Sequence, residues 1–149
     1  MKIAIGCDHG GYQLKNEIIS YLKDNGYETK DFGTYSEESC DYADYAIQVA
    51  EAVASKEYEY GILICGTGIG ISIAANKVPG IRAALCSDTF SAHATREHND
   101  ANILAMGQRV VGPGLAIDIV KTFLTSKFEG DRHIKRIQKI TDIEKKYSK

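Results

Sequence analysis

Short apolar runs and helix-period segments take turns along this chain, and that alternation restricts the fold more than any other feature. KIAIGC (2–7), YETKDF (27–32), YGILIC (60–65), IRAALC (81–86) and ANILAMG (101–107) read as strands. Leu14, Ile18, Tyr21 and Leu22 recur at helical spacing, as do YADYAIQVAEAVAS (42–55), a Gly-to-Ala stretch ending near Lys77, and GLAIDIVKTFLTS (114–126). SDTFSAHATREHN (87–99) reads as a further helix, with Ser87 or Asp88 as its N-cap. DRHIKRIQKITDIEKKY (131–147) closes the chain as a basic, solvated helix with Ile134, Ile137, Ile140 and Ile143 three residues apart. Strands that are apolar on both faces and joined through helices form a parallel sheet covered on both sides. The sequence thus predicts an α/β fold: a doubly wound, parallel five-stranded sheet with a C-terminal basic helix. No linker or internal repeat divides the 149 residues, so one domain spanning 1–149 is expected. Ligands of such sheets bind beyond the C-terminal strand ends, which directs attention to the strand-to-helix turns.

The totals exclude several classes of function. With 44% hydrophobic and 26% charged residues the chain has the profile of a soluble globular protein. A net charge of −2 argues against a general nucleic-acid binder. The charge is uneven, however: from Lys127 onward eight Lys/Arg face four Asp/Glu, so this tail carries +4 and the remainder −6. A small anion, or an acidic partner surface, is therefore expected near the C-terminus. The apolar stretch of MKIAIGCDHGG is too short for a signal peptide or a membrane span, which predicts a cytoplasmic protein with no membrane partner. Cys7, Cys40, Cys65 and Cys86 form no CxxC pair, so neither a zinc site nor a disulfide framework is expected.

Two strand ends hold the chemistry. YGILIC delivers Cys65 to the sheet edge, and Gly66, Thr67, Gly68, Ile69 and Gly70 follow directly before a helix. Glycines let a ligand approach main-chain N–H groups and the helix terminus adds partial positive charge, so the loop reads as an anion cradle that favours a thiolate at Cys65. A buried structural cysteine beside a tight turn is the competing reading. A dinucleotide fingerprint begun at Gly66 needs glycine where Ile71 stands, a Walker A loop needs a Lys-Ser/Thr pair that is missing, and a cysteine phosphatase loop needs arginine at Ile71. What remains is a thiol in a ring of amides, suited to stabilising an oxyanion on a substrate whose charged group is held elsewhere. GCDHGGY presents Asp8 and His9 at the same edge, an acid and an imidazole that can bind sugar hydroxyls, orient a phosphate or move a proton, or else serve as a helix cap and a turn residue. REHNDAN ends a helix with His98 and Asn99, which also fits a plain polar C-terminal turn. Arg132 and Arg136 share one helix face and either grip one phosphate or decorate a solvated surface; Arg109 follows a strand end and suits a ligand or an interface equally.

Together GCDHGGYQLK, CGTGIGISIAANK, REHNDANILAMGQRVVG and the Arg132/Arg136 pair resemble the type B ribose-5-phosphate isomerases, within a sugar-phosphate isomerase family that includes the galactose-6-phosphate isomerase subunits. The likeness runs nearly end to end. It implies a Rossmann-like fold, a homodimer or dimer of dimers with interface active sites, and catalysis of D-ribose 5-phosphate to D-ribulose 5-phosphate through a cis-enediolate without metal or nucleotide. By resemblance Cys65 is the base that moves the C2 proton to C1, and the amides of Gly66, Thr67, Gly68, Ile69 and Gly70, with the Thr67 hydroxyl, hold the enediolate oxygen. His98 opens the furanose; Asp8 and Asn99 bind hydroxyls; His9, Arg109, Arg132 and Arg136 hold the phosphate, some from the partner subunit. One branch of the family replaces the cysteine with a carboxylate inside the loop, and no Asp or Glu stands there here. The rival readings are an isomerase of a six-carbon aldose 6-phosphate, of allose or galactose type, a non-catalytic sugar-phosphate sensor, and a flavodoxin-like redox module. One chain carrying thiol, loop, histidine and arginines together favours the pentose enzyme.

Overall fold

The computed structural model describes residues 1–149. Its five strands are all parallel: β1 (Lys2–Cys7), β2 (Glu28–Asp31), β3 (Tyr60–Cys65), β4 (Ala83–Leu85) and β5 (Ile103–Gly107), in the order β2-β1-β3-β5-β4. Helices α1 (Tyr12–Asp24), α2 (Tyr42–Ala54), α3 (Ile69–Ala75), α4 (Thr89–Asn99), α5 (Pro113–Thr125) and α6 (Arg132–Tyr147) complete the architecture. Successive strand residues point to opposite faces, and the central strands are apolar at both parities, so two cores form. Ile3, Ile5, Ile62, Ile64, Leu104 and Met106 pack with α1, α4 and α5 on one face. Ala4, Leu63, Cys65, Ile103 and Ala105 pack with α2 and α3 on the other.

The predicted doubly wound α/β fold is therefore present, and its elements begin and end for identifiable reasons. Asp88, rather than Ser87, caps α4, its Oδ1 accepting from the Ser91 N–H at 2.6 Å. Pro113 opens α5, where its missing N–H costs nothing. The edge strands depart from the expectation of strands apolar on both faces. β2 alternates exposed with half-buried residues, and β4 spans only three residues, none of them fully buried. An edge strand has one neighbour and less cover, so its pattern need not match that of the centre. Lys15 of α1 is fully buried; its ammonium donates to both carboxylate oxygens of Asp31, at 2.7 and 2.8 Å, and to the Thr34 carbonyl at 2.5 Å, fastening α1 to β2 and the following loop.

Two topological facts position the site. The chain steps from β1 outward to β2 and returns past β1 to β3, so a crevice opens where the C-terminal ends of β1 and β3 diverge. Helix α6 stands outside the two cores, with only His133 buried; Ile134, Ile140 and Ile143 are 60%, 48% and 61% exposed. No helix is long and apolar enough to cross a membrane.

Candidate active site

Cys65 ends β3 at that crevice, 4% exposed, and the Gly68 N–H donates to its Sγ at 3.0 Å. The loop can take this shape because Gly68 and Gly70 carry no side chains, for which there is no room. Gly68 sits at φ +80°, and a Cβ there would lie 2.5 Å from Leu85 Cδ1 and 2.7 Å from the Met106 carbonyl carbon. Gly107 answers from β5: its Cβ would lie 2.5–2.7 Å from Thr67 backbone atoms. Loop and strand end thus interlock through two missing side chains. Gly70 lies under the Tyr42 ring, 2.6 Å from Cζ to a built Cβ. The Thr67 oxygen accepts from the Ile69 N–H at 3.1 Å, which leaves its own proton free for a ligand on the exposed side of the loop.

Asp8 and His9 join Cys65 on the same edge. Asp8 is 6% exposed and caps the single 3₁₀ turn of His9–Gly11, its Oδ1 accepting from the Gly10 N–H at 2.9 Å. A Cβ on Gly10 would come within 3.1 Å of the Gly66 nitrogen, so the turns after β1 and β3 are in contact. His9 Nδ1 accepts from the Cys40 N–H at 3.2 Å. That bond selects the tautomer with the proton on Nε2, a donor available to an anion. Arg109 is anchored by its own N–H to the Gly66 carbonyl at 3.0 Å, and its exposed side chain runs past Gly66.

The remaining predicted residues lie elsewhere. His98 and Asn99 end α4, just before the chain enters β5, and therefore occupy the N-terminal edge of the sheet. Arg82, which precedes β4, donates from Nε to the Asn99 carbonyl at 2.9 Å. Cys65 pairs with Gly107 at the far end of β5, four strand steps or about 13 Å away along the sheet. A single chain does not bring His98 or Asn99 to Cys65. Instead His98 stacks on His133 of α6, ring centroids 4.5 Å apart and planes 19° from parallel. Arg132 and Arg136 flank His133 on the exposed surface of α6. Burial pushes the His133 pKa down, the charges of Arg132, His98 and Arg136 add to this, and Glu129 opposes it. His98, Asn99, Arg132 and Arg136 thus form a second cluster with His133 and Glu129, neither of which the sequence singled out. Their only sequence signal was the four-residue spacing of Glu129 and His133 beside the arginine pair.

A concavity of about 780 Å³ lies between α6 and the β4 edge, bordered by Arg82, Asn99, Ile140 and Ile143, and does not include the Cys65 loop. Around that loop the surface is apolar: Ile69, Ile73, Leu85, Phe90 and Val110 are each more than 40% exposed. The Cys65 cluster offers a thiol, a carboxylate and main-chain amides without enclosing walls. The α6 cluster offers two imidazoles, a carboxylate and two guanidinium groups without a thiol. The first suits proton transfer at carbon beside a developing oxyanion, the second anion binding and proton exchange with a hydroxyl.

A ribose/galactose isomerase family model matches residues 3–140. A putative sugar phosphate isomerase of Bacillus subtilis is 59% identical over 147 residues, 98% of this chain and 99% of that protein. Ribose-5-phosphate isomerase B of Escherichia coli is 56% identical over 145 residues, 97% of each. The structure of ribose-5-phosphate isomerase B from Clostridium thermocellum superposes with a TM-score of 0.99 at 64% identity, covering 99% of this chain and all of that one. The chain belongs to the ribose/galactose isomerase family.

Proposed function

We propose that this protein interconverts D-ribose 5-phosphate and D-ribulose 5-phosphate, and that each active site is assembled from two copies of the chain. The observation that carries the reading is the placement of Cys65 Sγ at the β1/β3 crevice, 3.0 Å from the Gly68 N–H and beside the amide loop. Cys65 removes the C2 proton of the opened sugar and returns it at C1. The negative charge that develops on oxygen in the enediolate is met by loop amides and the Thr67 hydroxyl, donors already fixed in place by the interlock with Gly107. Asp8 binds a sugar hydroxyl through the carboxylate oxygen that is not capping the turn.

The opposite placement of the two clusters supports a shared site. His98 must reach the ring oxygen and the arginines the phosphate of a sugar whose C2 lies at Cys65, and the sheet separates them within one chain. A twofold dimer resolves this, because it sets the Cys65 edge of one copy against the α6 edge of the other and does so twice. The apolar rim at Ile69, Ile73, Leu85, Phe90 and Val110, and the exposed isoleucines of α6, are the surfaces such a pairing covers. Asn99 then binds sugar hydroxyls beside His98, and Arg132 and Arg136 hold the phosphate together with His9 and Arg109 of the copy that supplies Cys65.

The direct test is isomerisation of ribose 5-phosphate in the presence of a chelator, with the Cys65→Ala variant in parallel. Turnover by the wild type and a fall in kcat of about 10³-fold in the variant, with substrate still bound, are expected. A variant with near-normal kcat refutes the thiol base, and a wild type inert on ribose 5-phosphate refutes the substrate.

A further inference from the structure

We propose that His98, Glu129 and His133 form a three-ligand site for a divalent cation of the zinc class, and that an ion bound there inhibits the isomerase by holding the His98 ring. The inference rests on the reading of His98 as the group that opens the sugar. It concerns an inhibitory ion and not a cofactor of the reaction.

The donor atoms lie close together. Nε2 of His133 lies 3.5 Å and Nε2 of His98 lies 3.7 Å from the same Glu129 Oε1, and the three ligand atoms all lie within 4.8 Å of one another. A tetrahedral ion with bonds of about 2.0–2.1 Å sets its ligand atoms about 3.4 Å apart, so two of these edges are within a few tenths of an ångström of what the ion needs. The independent sign of a ligand is His133 itself. Its residue is 4% exposed, yet its Nε2 is enclosed without any hydrogen-bond partner and faces the Glu129 carboxylate. Buried polar atoms in folded proteins are nearly always satisfied, and a cation at this spot would satisfy this one.

The segment before α6 holds the carboxylate in position. The Glu129 N–H donates to the Glu97 carbonyl at 3.0 Å, and Gly130 and Asp131, both at positive φ, fold the chain back so that Glu129 stands over the first turn of the helix. Two imidazoles and one carboxylate form a donor set that favours zinc-class ions over magnesium, which takes oxygen ligands. His133 is locked by burial, whereas the His98 side chain is 42% exposed and free to turn. A metal bonds in the plane of an imidazole, so the parallel His98 and His133 rings cannot both bind it while stacked. The ion must draw His98 out of the stack and occupy its lone pair, and both changes remove it from proton exchange with a sugar. Arg132 and Arg136 repel a cation from the solvent side, which limits the site to reversible binding rather than a permanent structural ion.

Zinc chloride titrated calorimetrically into the Cys65→Ser protein, which removes the competing thiol at the active site, tests the binding step without any need for turnover. One ion per chain is expected, with affinity at least about tenfold weaker in the same background carrying Glu129→Gln or His133→Ala. Glu129 is exposed, so its variant keeps the test open where His133→Ala fails to fold. In wild-type protein, zinc should slow isomerisation reversibly on addition of a chelator. The half-inhibiting concentration should rise by the same factor in Glu129→Gln, each enzyme compared with its own uninhibited rate. No stoichiometric binding, or binding indifferent to both substitutions, overturns the site. Binding with unchanged turnover overturns the inhibition. Failure of the isomerase reading is seen separately, as absence of turnover before any zinc is added.

Discussion

Cys65 is one of four free thiols, and the structure separates it from Cys7 and Cys86 by environment. Burial pushes the Cys7 thiol up to about 12 and the Cys86 thiol up to about 11, with Asp88 adding to the latter, so both remain protonated and unreactive at pH 8. Cys65 receives the Gly68 N–H on its sulfur at 3.0 Å. Iodoacetamide at pH 8, followed by peptide mapping by mass spectrometry, should therefore leave Cys7 and Cys86 unlabelled, and ribose 5-phosphate should protect Cys65. Labelling of Cys7 at the rate of Cys65, or labelling of Cys65 indifferent to substrate, contradicts this assignment. Much at this scale was legible in the sequence: a thiol at a strand end followed by alternating glycines needs little else to be suspected. The role of Gly107 was not, because only packing reveals that its missing Cβ is where Thr67 runs. Equally hidden were His133 and Glu129, whose meaning depends on a fold-back at Gly130 and Asp131 that composition does not announce.

Among the elements, the central strands declared themselves because burial on two faces demands continuous apolar sequence, while β4 shrank to Ala83–Leu85 because an edge strand escapes that demand. The loop between β3 and α3 is held less by its own hydrogen bonds than by the end of β5. Gly107→Ala places a methyl group 2.5–2.7 Å from the Thr67 backbone, a contact no rotamer relieves. The expected cost is about 1–3 kcal/mol of stability together with a loss of kcat, since the loop must shift away from the substrate. Denaturant unfolding and steady-state kinetics read the two effects. A Gly107→Ala protein with unchanged midpoint and kcat means that the interlock does not hold the loop. Gly112→Ala is the control, as its Cβ meets nothing within 4 Å.

At the scale of the whole molecule, the sheet itself divides the proposed machinery. The sequence directed attention to the C-terminal strand ends, and Asp8, His9, Cys65 and Arg109 lie there; His98 and Asn99, on a helix-to-strand turn, belong to the opposite edge. Element order in the sequence contained that fact, but only the sheet makes it a distance. The charge asymmetry has the same origin: the basic tail becomes α6, which lies at the α4 end of the sheet and carries Arg132 and Arg136 on an exposed face. If two copies complete each other's sites, two different inactive chains can rescue one another. Co-expressing a Cys65→Ala chain with a His98→Asn, Arg136→Ala chain under separate affinity tags, and purifying the mixed dimer through both, gives one site with both native clusters and one with neither. About half the wild-type rate per dimer is predicted for that mixed species, with each parent dimer nearly inert. A mixed dimer as inactive as its parents would contradict a site shared between copies.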